Sequence, residues 1–135
     1  MPELTHIKTP AGIAPAYGYS HVVWGEGRFV AVSGQLSLDE NGDVVGLNDP
    51  MAQARQVFAN VRRCLNEAGA TFDDVVKFTF FVTDMRVMPA VREARDACIN
   101  PDRPPACTAV QVYSLVHPEL YLEVEAFAIT PTWRL

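Results

Sequence analysis

The stretch Leu120 to Ile129 constrains this chain more than any other. It reads Leu-Tyr-Leu-Glu-Val-Glu-Ala-Phe-Ala-Ile, with strict alternation of side-chain character. In a strand, successive side chains point to opposite faces, so one face carries Leu120, Leu122, Val124, Ala126 and Ala128, and the other Tyr121, Glu123, Glu125, Phe127 and Ile129. Two carboxylates, about 7 Å apart at strand rise, thus share a face with three large apolar groups. A core strand has no packing reason to do this, and a functional site is one explanation. A second alternating run, Pro104 to Tyr113, precedes it, separated by a turn over Ser114 to Glu119.

The remaining elements follow in order. Residues 1–18 are rich in Pro, Ala and Gly and read as an extended lead-in. Tyr19 to Trp24 is a short strand, Gly25 to Arg28 a turn, and Phe29 to Leu36 a second strand. Gly34 inside that pattern predicts a bulge or a close approach to the backbone. Asn41-Gly42 is a hairpin signal leading to a short extended piece at Val44-Val45. Asp49 caps a helix whose first position is Pro50, whose apolar stripe runs Met51, Ala54, Val57/Phe58, Val61, Cys64/Leu65 and Ala68, and which stops at Gly69. Val75 to Val82 is a strand with Val76, Phe78, Phe80 and Val82 on its apolar face. A second helix spans about Pro89 to Cys98, with Val91, Ala94 and Ala97/Cys98 turned inward.

The order β-β-β-α-β-α-β-β predicts an α+β two-layer sandwich: one mixed sheet with both helices on one face. The opposite sheet face, carrying Tyr121, Phe127 and Ile129, then has no cover within the chain, and an apolar face of that size predicts self-association. With 135 residues and no long linker, the chain reads as a single domain over 1–135. A formal net charge of −5 argues against a broad nucleic-acid surface. No apolar run is long enough to span a membrane, and Met1 to His6 lacks the basic and apolar parts of a signal peptide. Cys64, Cys98 and Cys107 show neither metal-ligand spacing nor a disulfide framework, so a reducing cytoplasm is the expected location.

Several segments together resemble the Rid family, also called YjgF or reactive-intermediate deaminases. They are Tyr19-Ser20-His21-Val22-Val23, Ser33-Gly34-Gln35, Ala52 to Gln56 leading to Asn60-Val61 and Ala68-Gly69, Asp74 to Thr79, Phe81-Val82-Thr83-Asp84, Pro105-Ala106, and Glu123-Val124-Glu125-Ala126. The resemblance covers nearly the whole chain in order. It implies a chorismate-mutase-like fold, and a homotrimer whose sheets line a central barrel with small-molecule pockets between subunits. It also implies hydrolysis of enamines and imines with no cofactor and no metal. Carried over by position, it implies that Glu123 positions the attacking water, while Tyr19 and the backbone of Ser33 and Gly34 complete the pocket.

One position departs from the pattern. Deaminating members carry an Arg directly after the Pro-Ala pair, where it grips the substrate carboxylate; here that residue is Cys107. A neutral thiol cannot replace a charged bidentate fork. Activity is therefore expected to be altered or reduced. Arg103, four residues earlier, is one candidate substitute anchor, and Arg92, Arg95 or a neighbouring subunit's basic group are others. Cys107 as a nucleophile would need a base or positive surroundings, and His21 is the one histidine that could lie nearby. The distinctive Gln53 reads as part of the helix–sheet fit, not of the chemistry. Three functions compete: an imine or enamine hydrolase with an altered substrate range, a non-catalytic small-molecule-binding or interaction trimer, and a ribonuclease or translation inhibitor. The acidic charge disfavours the last.

Overall fold

A computed structural model describes residues 4–133. Its strands are β1 (Thr5–Ile7), β2 (Val22–Trp24), β3 (Arg28–Gln35), β4 (Val75–Val82), β5 (Ala106–Gln111) and β6 (Leu122–Thr130), and its helices are α1 (Pro50–Glu67) and α2 (Met88–Asp96). Four strands form a mixed sheet in the order β3-β6-β4-β5, antiparallel except for the parallel β4–β5 pair. The short β1 and β2 form a separate antiparallel ribbon. A single bridge between Ser20 and Ala106 ties the chain before β2 to the outer edge of β5.

The α+β class and the two helices are as expected, but the first three strands are not the same three. The lead-in contains β1, and its first three residues lie outside the described residues. The segment at Val44-Val45 forms no strand; Val44 makes one isolated bridge to Leu38. The reason is local. Asp39 accepts backbone N–H bonds from Asn41 and Asp43 at 2.9 and 3.0 Å, and Gly42 turns at φ 83°, so the chain closes on itself over too few residues for a ladder. The last two strands do not pair with each other: β6 lies between β3 and β4, and β5 lies beyond β4.

Helix α1 forms where its caps predict. Asp49 accepts the Ala52 N–H at 3.0 Å, and Pro50 occupies the first turn. At the other end Gly69 adopts φ 70°, and the Gly69 and Ala70 N–H groups reach the carbonyls of Asn66 and Leu65 at 3.0 and 2.9 Å. This left-handed exit satisfies carbonyls that the helix leaves orphaned. Ala54, Val57, Phe58, Val61 and Leu65 pack against Phe78, Phe80, Val124 and Ala126 of the sheet. Phe58 meets the Phe78 ring edge-on at 5.6 Å.

The expected alternation of β6 is observed. Leu122, Val124, Ala126 and Ala128 are buried toward the helices, while Glu123, Glu125, Phe127 and Ile129 stay half-buried on the other side. On β4 the expected inner face is shifted by one residue at its start. Val75 pairs with Ala128 and Lys77 with Phe127, so Val76 is an extra residue, and Val75 takes the buried place expected for Val76. The open face holds Phe29, 64 % exposed, and Val110, 39 % exposed, with Phe127, Ile129 and Phe81 between them. Phe29 packs on Phe127 at 5.6 Å and itself stands largely open to solvent. No helix among the described residues is long and apolar enough to cross a membrane.

Candidate functional site

The register of β3 against β6 sets the first part of the site. Val32 pairs with Ala126 and Gln35 with Val124, so Ser33 and Gly34 together oppose Glu125. This bulge bends the end of β3 over Glu123. A Cβ placed on Gly34 would stand 2.7 Å from Glu123 Cδ and 2.8 Å from its Cγ, inside any tolerated contact. Gly34 has no need of glycine's conformational freedom here; it is needed for space. Both sequence expectations for Gly34, a bulge and a close approach, are met at this one point. The Glu123 carboxylate has no hydrogen-bond or ion-pair partner among the described residues. Opposite it on β4 stands Phe81, and opposite Glu125 stands Thr79. Gly34 also lines a groove of about 710 Å³ beside α1, with Leu36, Leu38, Asn60 and Arg63.

Tyr19 and Cys107 form a second group, at the start of β5. Ser20 fixes the segment: its N–H donates to the Pro105 carbonyl at 3.0 Å, and its hydroxyl to the Pro104 carbonyl at 2.7 Å. Tyr19 lies edge-on to His21 at 5.3 Å. The His21 Nε2–H donates to the Ala14 carbonyl at 2.8 Å, which commits that ring nitrogen to the lead-in segment. The Cys107 side chain shares the helix-facing side of β5 with Ala109 and points back to the Pro105 carbonyl, 3.7 Å away. Burial pushes its thiol up to about 11, against the pull of Arg95 and Lys77 in the other direction. At neutral pH it is a neutral thiol, a poor nucleophile and no anion.

Of the candidate substitute anchors, Arg103 is committed elsewhere: its Nη2 donates to the Leu4 carbonyl at 3.0 Å. Arg92 is exposed on α2. Arg95 is buried and its charge acts on Cys107. Gln53 is fully buried, donating to the carbonyls of Gly46 and Glu119 and accepting from the Tyr121 N–H, which ties α1 to the start of β6 as the helix–sheet reading requires.

The chain thus brings Ser33, Gly34 and Glu123 together, and separately Tyr19, Cys107 and Arg95. Glu123 stands on the open face and Cys107 on the helix-facing one, with β4 between β6 and β5, about 10 Å apart across the strands alone. One chain does not join them.

A mixed four-stranded sheet, two helices on one side and a glutamate over a glycine bulge on the other define the class: a two-layer α+β protein with a carboxylate on its uncovered face. Comparison with known proteins narrows this. The family model described as endoribonuclease L-PSP matches residues 9–130. A protein named 3-aminoacrylate deaminase RutC, from Acinetobacter baylyi, is 38% identical over 101 residues, covering 75% of this chain and 79% of its own. Among solved structures, the Rid-family protein YyfB from Yersinia pestis superposes with a TM-score of 0.82 at 31% identity, over 95% of this chain and 99% of that one. RidA from an Antarctic Psychrobacter gives 0.70 at 33%, over 91% and 94%. The chain belongs to the Rid (YjgF) family.

Proposed function

We propose that this chain is an imine or enamine hydrolase that assembles as a homotrimer through its open sheet face, with a pocket between neighbouring copies. The observation that carries the reading is the Glu123 carboxylate lying over the Gly34 backbone on the sheet face away from the helices, where no helix among the described residues packs. A carboxylate without a partner, flanked by Phe81 and a backbone too close for any side chain, is placed to hold a water against a flat, small electrophile. The reaction needs only that. An enamine first takes a proton on carbon to become the imine. Water adds to the C=N carbon, Glu123 receives the water's proton and passes it to nitrogen, and the carbinolamine collapses to a carbonyl and ammonia. Atoms balance as imine plus water giving carbonyl plus ammonia, and no redox step occurs.

The separation of the Tyr19–Cys107 group from Glu123 within one chain supports a shared pocket, because a second copy can bring its own group to the first copy's carboxylate. The relative named 3-aminoacrylate deaminase supports the same class of chemistry. The test is ammonia release in a coupled assay over a panel of amino-acid-derived imines. Turnover abolished by Glu123→Gln supports the reading; no turnover with any imine, beside an active Arg-bearing relative, contradicts it.

The neutral Cys107 thiol favours a second reading, a trimer that binds small molecules without turning them over. Stabilisation by ligand in a thermal-shift screen with no ammonia released would select it.

A further inference from the structure

We infer that Arg95, on the last turn of α2, is the residue that holds the carboxylate of a small 2-oxo or 2-imino acid, from behind Cys107. The inference rests on the pocket reading above for where the ligand lies.

The argument begins with what a guanidinium tolerates. Arg95 is 5 % exposed, and a buried guanidinium is costly unless its charge and its donors are met. Only part of that demand is met. Nε donates to Asp96 Oδ1 at 2.9 Å, and the Asp96 side chain is 58% exposed, so its oxygens remain largely hydrated. Nη1 and Nη2 have no oxygen acceptor among the described residues, and the side-chain hydrogen bond the guanidinium shares with Cys107 goes to a sulfur, a weak acceptor. The bond at Nε fixes the plane of the fork and leaves its end edge, the Nη1–Nη2 pair, without an oxygen partner. That edge is the one that grips a carboxylate with two parallel bonds.

The surroundings keep it so. Gly18 turns at φ 78°, and a Cβ there would come within 2.8 Å of Arg95 Nη2, so the lead-in passes close over the fork only because it has no side chain at that point. Cys107 offers a short neutral thiol, which meets the guanidinium only as a weak sulfur partner and leaves the space a longer side chain would take. Tyr19 follows Gly18 directly, and Ser20 pins that segment to Pro104 and Pro105. The charge, the glycine that clears it and the small residue in front of it come from three separate elements and converge on one spot.

The test compares pyruvate with methyl pyruvate, one methyl larger and lacking the charge, by calorimetric titration of the native protein at low salt. Two charge-assisted bonds predict that the acid binds about tenfold to a hundredfold more tightly than the ester. Arg95→Met should bring that ratio to about one, and Arg95→Lys should keep part of it. Equal affinity of acid and ester for the native protein overturns the inference, whether or not the variants fold. So does a preference for the acid that survives in a folded Arg95→Met. Turnover by the native protein separates the two proposals: acid preference retained with no imine hydrolysed would sink the hydrolase reading and leave the Arg95 assignment standing.

Discussion

Glu123 lies against Gly34 so closely that any side chain at position 34 would have to displace the carboxylate, and the bulge at Ser33–Gly34 is what brings the two together. The carboxylate and the backbone that confines it belong to adjacent strands of a rigid sheet, so the spacing is held without help from a loop.

Gly34→Ala is therefore expected to displace the Glu123 side chain and damage function before stability. Ammonia release should fall at least tenfold, with the melting temperature lowered by only a few degrees. Activity and thermal denaturation on the same preparation check this. Unchanged turnover would mean that the contact has no part in the chemistry.

Glu123→Gln keeps shape and removes the ability to accept a proton. General acid–base groups contribute roughly 10²- to 10⁴-fold, and a loss of that order in kcat is expected, with sedimentation and circular dichroism unchanged.

Cys107 should be slow to alkylate. Its pKa, raised to about 11 by burial, makes thiolate scarce at pH 8, and labelling should be on the order of a hundredfold slower than in the urea-unfolded chain. The sign for stability follows. A raised thiol pKa favours the neutral form in the fold, a contribution complete below the ordinary thiol range and lost as pH climbs toward 11. Peptide-resolved mass spectrometry of iodoacetamide labelling gives the rates; equal rates in folded and unfolded chain would contradict the burial argument.

Gln53→Leu should cost about 3 kcal/mol or more in urea denaturation. It would strand two buried carbonyls and the Tyr121 N–H that now share one side chain. Turnover per folded molecule should stay within a few-fold, since Gln53 holds α1 to β6 and does not face the open sheet.

How much of this the sequence discloses depends on the range of the cause. Helix α1 is legible because Asp49, Pro50 and Gly69 act on their own neighbours. The two faces of β6 are legible because alternation is local. The bulge at Val76 is not, because it is set by pairing with β6, and Val75 and Val76 are chemically the same. Strand β1 is three residues long and exists only through its pairing with β2. Glu123 stands out as a carboxylate among apolar neighbours. Arg95 does not, because a basic residue near a helix end is ordinary, and only the folded chain shows that it is buried and acts on Cys107.

The account's central claim is that the open face of Phe29, Phe127 and Ile129 is closed by further copies, which also complete the pocket at Glu123. Sedimentation equilibrium at low micromolar concentration tests this most directly. The prediction is a particle of three chain masses, reduced toward one by Phe127→Glu. A native protein that sediments as a folded single chain would contradict it.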